Sequence, residues 1–203
     1  MRPTIRMPAK ELGPRATQMI ARILAATKSI FLSRGYAGTT IDEITRVAGV
    51  SRGSFYTYFP TKRDALLALG ADSIRAGRTA VERLADLPDD WTVTDLEGFV
   101  ESYFVMLEEH GSFAFAWTQA AHEDNEIREA GMKRHLHLCG EMGLAVESLR
   151  GEPLDDPTAY GLVLFSMLER AWVYCRLYEG TIDPASVRRS IAQVMAADLT
   201  PTS

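Results

Sequence analysis

The sequence is poor in the residues that build metal sites, disulfide frameworks and catalytic centres. Only two cysteines, Cys139 and Cys175, stand in 203 residues, with no CxxC or other paired metal spacing. Of the four histidines, His135 and His137 are two apart, so on a helix they diverge by about 200° and cannot share one ion. His110 and His122 have no partner at a ligand spacing. There is no Walker loop, no nucleophile elbow and no HExxH. Neither catalysis, nor a metal, nor a cofactor is therefore expected. No apolar run reaches membrane-spanning length, and no basic n-region with a following apolar stretch opens the chain. The expectation is a soluble, cytoplasmic protein with reduced thiols and no membrane partner. Alternating strand patterns, repeats and low-complexity tracts are missing too, which leaves an all-α fold.

What is present is a segregation of charge. The net charge is −5, yet residues 1–80 hold 13 basic and 5 acidic side chains, against 9 basic and 22 acidic in 81–203. Scattered solubilising charge explains the net value but not the division. A basic first half suits phosphate, where each neutralised phosphate releases counterions. The acidic remainder would repel nucleic acid.

The stretch Thr39–Lys62 reads as two short helices joined by a tight turn. Thr40 and Glu43, three apart, form a capping box, and Ile41, Ile44 and Val47–Ala48 recur at helical spacing. Gly49 suits the left-handed residue that ends the first helix, with Val50 as a pin in the turn. Ser51 caps the second helix and Pro60 stops it. This is a helix-turn-helix, with its second helix free to enter a major groove. An amphipathic helix precedes it over 15–34, with Ile20, Ile23, Leu24, Thr27, Ile30 and Phe31 on one face, and Gly35 ends it. Thr61 and Asp64 open a further helix from Lys62 to about Leu84.

Phe31, Gly35–Tyr36, Thr39–Thr40, Ile44, Ala48–Gly49–Val50–Ser51, Gly53, Phe55–Tyr56, Tyr58–Phe59, Lys62 and Leu66 together resemble the N-terminal signature of the TetR family of transcriptional regulators. The likeness covers residues 15–67. The chain departs from that pattern at Thr45, where alanine is usual, at Phe55, where leucine is common, and at Tyr58, often histidine. The expected architecture is a homodimer with three homeodomain-like N-terminal helices (15–61), a flexible basic arm (1–14) and a helical effector-binding and dimerisation domain (62–203).

The DNA face is expected to use Thr39, Thr40, Ser51, Arg52, Gly53, Ser54, Tyr56, Thr57, Tyr58 and Lys62. Gly53 and Ser54 allow close approach, and Arg52 offers a fork of donors to guanine. Lys62 stands in the first turn of its helix, where a cation is unfavourable for the dipole unless a phosphate lies there. Phe55 and Phe59 belong inside. The Tyr-x-Tyr-Phe spacing leaves at least one ring outside, Tyr58 ahead of Tyr56.

Beyond Asp90 the chain is again helical: 93–110 with a break at Gly111, a short aromatic helix at 113–117, then 124–150, 157–179 and 184–198. Asp156–Pro157 and Asp183–Pro184 are each a cap followed by proline at the first helical position. The helix from Pro157 is apolar around most of its circumference. Leu164, Leu168 and Trp172, with Ile191 and Met195 of the last helix, are either a monomer core or the dimer face that the resemblance implies. The resemblance also implies a pocket for a largely apolar small molecule among Phe99, Tyr103, Phe104, Phe113, Trp117, Met142 and Phe165. The expected partners are thus a palindromic double-stranded operator, a second copy and a small effector, with release of DNA as a repressor's response. Two other readings are a DNA-binding head on an all-α enzyme domain, and a helical interaction module without a DNA role.

Overall fold

The computed structural model describes residues 13–199, and over these it is all-helical: α1 (Pro14–Arg34), α2 (Ile41–Ala48), α3 (Arg52–Tyr58), α4 (Lys62–Ala85), α5 (Val93–Glu123), α6 (Asn125–Arg150), α7 (Pro157–Leu177) and α8 (Pro184–Leu199). The basic arm expected over 1–14 lies outside the described residues up to residue 12. Pro14 itself opens α1, after Gly13 as N-cap.

Local chemistry sets most boundaries. Capping boxes open α2 (Thr40, Glu43), α4 (Thr61, Asp64) and α5 (Thr92, Asp95). The side chains of Ser51, Asp124 and Asp156 cap α3, α6 and α7. Each such cap satisfies amide groups that the first helical turn leaves unpaired, worth about 1 kcal/mol. Gly49 ends α2 at φ 62°, ψ 41°, a left-handed conformation that side-chain-bearing residues avoid.

Three cores follow one another along the molecule. The head core joins α1, α2 and α3 through Ile23, Ile30, Ile44, Ala48, Phe55 and Phe59, and it takes in Ala65 from the first turn of α4. A junction core of Phe31, Leu66, Leu69, Ala116, Ala120 and Ile127 draws on α1, α4, α5 and α6. The body core fills α4 to α8. Helix α4 therefore serves all three, and no linker separates head from body.

The break expected at Gly111 does not occur: α5 runs unbroken through 93–123 and absorbs the aromatic segment. Glycine in a helix interior costs about 1 kcal/mol relative to alanine. Here its bareness makes room for a partner, because a Cβ on Gly111 would come within 2.8 Å of the Trp172 ring from α7. A tertiary contact thus outweighs local propensity. The same device, in stronger form, seats α7 on α6. A Cβ on Gly161 would lie 1.9 Å from the carbonyl oxygen of Cys139, and one on Gly143 would lie 1.9 Å from that of Pro157.

Leu164, Leu168, Trp172, Ile191 and Met195, expected as either core or dimer face, are buried inside the protomer, none more than 7% exposed. They form one face of α7 and α8, turned toward the body core. The opposite face carries the exposed apolar side chains: Val163 and Leu177 on α7 and Val194 on α8, at 66%, 68% and 59%. Periodicity gives α7 two apolar faces but does not tell which one the protomer covers.

Candidate nucleic-acid interface and internal cavity

The recognition face is built on α3, whose Phe55 is fully buried and whose C-cap Phe59 is nearly so. These two rings, 5.8 Å apart, fix the roll of the helix. Arg52, Gly53, Tyr56 and Thr57 consequently face solvent. A Cβ on Gly53 would meet only the Ser51 hydroxyl, at 3.8 Å, so this patch is open. Thr57 returns its hydroxyl to the Gly53 carbonyl at 2.9 Å. Ser51 accepts from the Ser54 amide at 3.0 Å, and the two hydroxyls lie 2.9 Å apart. The outward ring is Tyr56, 44% exposed, rather than Tyr58, which is half-buried against the head core. The reason is helical: Tyr58 sits three residues from Phe55 and so shares its inward face.

Arg52 is exposed but not idle. It pairs with Asp42 on α2 and donates to the Tyr56 hydroxyl at 3.1 Å, its guanidinium 5.8 Å from that ring's centroid. A base or phosphate would have to compete with Asp42 for this fork.

Several side chains expected to touch phosphate are engaged within the head. Thr39 is buried and donates to the Gly35 carbonyl at 2.7 Å. Thr40 is committed to its capping box. The Lys62 ammonium donates to the carbonyls of Tyr36 and Thr39 at 2.7 and 2.8 Å, and sits 4.2 Å from the Tyr36 ring centroid. Burial lowers its pKa. Its unfavourable place at a helix N-terminus is therefore met by two carbonyls of the loop between α1 and α2, of which that of Tyr36 also accepts from the Thr39 amide at 3.3 Å. Arg22, which carries no signal in the sequence, does the same for α2, donating to the Ala48 and Gly49 carbonyls at 2.7 and 2.9 Å.

Further contacts tie this loop and the start of α4 to the body. The Tyr36 amide donates to the Gln119 side chain of α5 at 3.1 Å. Arg63 reaches the N-cap of α6, Asp124, at 3.3 Å and also pairs with Glu126.

Beyond these contacts lies a cavity of about 170 Å³ among α4, α5, α6 and α7. Of the expected ligand residues, Tyr103, Phe113, Trp117 and Phe165 line it. Phe99, Phe104 and Met142 do not; they fill the body core. The structure brings in residues that the sequence does not mark as lining: Leu67 and Ile74 of α4, His110 of α5, Arg134 and His135 of α6, and Glu169 of α7. Rings form a chain along one wall, with centroids 5.9 Å apart for Tyr103–Phe165, 6.1 Å for Phe165–His135 and 6.2 Å for His135–Trp117. The Trp117 indole donates to the Ile127 carbonyl at 3.2 Å. Burial lowers the pKa of both His135 and His110, so each ring is neutral at pH 7. Among the described residues no group of three acidic, histidine or cysteine side chains could hold a metal ion, and no helix is long and apolar enough to cross a membrane.

A three-helix head with an exposed recognition helix, continuous with a helical body around a cavity, defines a helix-turn-helix regulator. The family model for bacterial regulatory proteins of the tetR family matches residues 23–69. Over 149 residues the chain is 29% identical to the HTH-type transcriptional regulator CymR of Pseudomonas putida, a match that spans 70% of this chain and 71% of that one. The fold matches PfmR, a TetR family regulator from Thermus thermophilus, at a TM-score of 0.68 and 19% identity, covering 86% of this chain and 96% of that one. It also matches FadR from Bacillus subtilis, solved in complex with stearoyl-CoA, at a TM-score of 0.65 and 16% identity, with the same coverage. In sequence over the head, and in fold over most of its length, the chain is similar to DNA-binding transcriptional regulators of the TetR family.

Proposed function

We propose that the chain is a homodimeric, cytoplasmic repressor that leaves a palindromic operator when a small, largely apolar effector fills the α4–α7 cavity. The observation that carries this reading is shared structure. The helices that wall the cavity, α4 and α5, are those that hold the head, through Lys62 on α4 and Gln119 on α5. A ligand that favours one setting of these helices favours one setting of the head, and coupling of this kind is reciprocal. The complex of Bacillus subtilis FadR with stearoyl-CoA supports a small-molecule ligand in this fold. The exposed apolar faces of α7 and α8, carrying Val163, Leu177 and Val194, fit a two-fold interface with the same helices of a second copy. A two-fold protein in turn suits a palindrome.

On the DNA side, Arg52 reads a base, and Gly53, Ser54, Tyr56 and Thr57 approach the groove, with Thr40, Ser51 and Tyr58 at its edge. Thr39 and Lys62 act by holding the head in shape. The experiment is fluorescence anisotropy on duplexes bearing the selected operator. A steep fall of affinity with salt and a footprint of two half-sites are expected. Arg52→Ala should relax preference at one base pair by about 1–3 kcal/mol. Unchanged affinity and preference in that variant would remove α3 from the recognition role.

A further inference from the structure

The cavity's polar groups differ from others in the body. On α7, Trp172 donates its indole N–H to Glu108 at 2.8 Å, and Arg176 pairs with the same carboxylate. One turn away on the same helix, Glu169 has no hydrogen bond or ion pair among the described residues, although it lies in the cavity wall. The hydroxyl of Tyr103, almost completely buried on the facing helix, likewise has no hydrogen-bond partner among them. No buried side-chain nitrogen or oxygen of the described residues is sealed without a partner. The Glu169 oxygens are therefore open to the cavity rather than enclosed in protein. Burial raises this carboxyl to about 7, with Arg170, its chain neighbour, pulling the other way. Arg170 itself lies over the Tyr174 ring, 5.8 Å from its centroid.

A carboxylate held in an apolar cavity without a partner is unfavourable, and a ligand that supplies the partner recovers that loss on binding. The other ionisable groups of the lining decide the sign. His110 and His135 are neutral at pH 7, and Arg134 is exposed, its charge in water. Glu169 is thus the charge that faces inward, and aromatic rings flank it. Ring faces attract cations, and an ammonium between aromatic walls and a carboxylate is a well-matched arrangement.

We infer that the cavity takes an organic cation, an amine or quaternary ammonium on a small aromatic or aliphatic body, with Glu169 as its counter-ion and Tyr103, Trp117 and Phe165 around it. This rests on the cavity being the effector site. Three near-isosteric probes test it by tryptophan fluorescence titration of the full chain at pH 8: benzyltrimethylammonium, neutral neopentylbenzene and anionic phenylmethanesulfonate. The ammonium is expected to bind, the sulfonate is not, and Glu169→Gln should weaken the ammonium about ten- to a hundredfold while moving neopentylbenzene less than about twofold. An ammonium affinity unchanged in Glu169→Gln, or binding of the sulfonate in preference, would overturn the assignment. If neopentylbenzene binds and the ammonium does not, the charge assignment falls and the effector site stands. If none of the three binds, the effector site falls with it.

Discussion

The head and the cavity treat their polar side chains in opposite ways. In the head many of them complete the backbone: Thr39, Thr40, Ser51, Thr57, Arg22 and Lys62 each meet a carbonyl or amide of a turn or helix end. Around the cavity, the Glu169 carboxyl and the Tyr103 hydroxyl make no hydrogen bond among the described residues, while their neighbours are aromatic. The first pattern makes a rigid body out of three short helices that could not stand alone. The second leaves interactions to be completed by something else. Recognition of DNA thus starts from a preset surface, whereas the cavity is set for a change of state.

The comparison can be broken at several points. The largest effect should come from the frame that both regions share. Gly161→Ala puts a Cβ where the Cys139 carbonyl already lies, so α6 and α7 must separate. We expect a loss of roughly 3 kcal/mol or more in chemical denaturation. A loss below about 1 kcal/mol would mean that the helix crossing is looser than described.

Next comes Glu169 without ligand. Well below 4.5, its ordinary value, the carboxyl is protonated whether the chain is folded or not, and it contributes no pH dependence. As pH rises from there to about 7, the unfolded chain releases this proton while the folded chain keeps it, so folding is progressively penalised. Above that window the penalty is constant. Glu169→Gln should therefore raise stability by about 1–3 kcal/mol at pH 8 and change it little at pH 4.5. Equal effects at both pH values would show that Glu169 is not the desolvated group described.

Lys62→Met sharpens the head side. Removing the ammonium from the Tyr36 and Thr39 carbonyls should cost about 1–2 kcal/mol of stability and weaken DNA binding to all sequences alike. The salt slope separates the two roles of this lysine. It should stay unchanged if Lys62 only braces the loop, and fall by about one if it also meets a phosphate. The smallest effect belongs to Asp42→Asn, which removes an exposed partner of Arg52. Stability should change by less than about 1 kcal/mol, and operator affinity should rise as Arg52 loses a competitor.

How much of this the sequence discloses follows from the range of the interactions involved. Caps and turns are local, so Thr40–Glu43, Gly49, Ser51, Thr61–Asp64 and Asp156–Pro157 are legible and set the helix order. Gly111 reads as a helix break because its role depends on Trp172, sixty-one positions away, which a local rule cannot see. The bracing role of Lys62 is not legible, because the carbonyls it meets belong to a loop more than twenty residues earlier. The cavity is half legible. Aromatic residues advertise themselves, and Tyr103, Phe113, Trp117 and Phe165 stand out among the expected lining. A lone Glu169 on an apolar helix gives no such signal, and neither does His135, since each takes its character from three other helices.

The contacts that fasten the head have a consequence for anyone who would move it. Ala65 belongs to the head core, Lys62 to the loop it braces, and Gln119 reaches the same loop from the far end of α5. A chimera cut after Pro60, at the apparent seam, would hand the new body a head without its struts. A graft that carries the chain through Leu69, and restores a glutamine at the position matching Gln119, is the one that should keep both the operator preference of the donor and the effector response of the host.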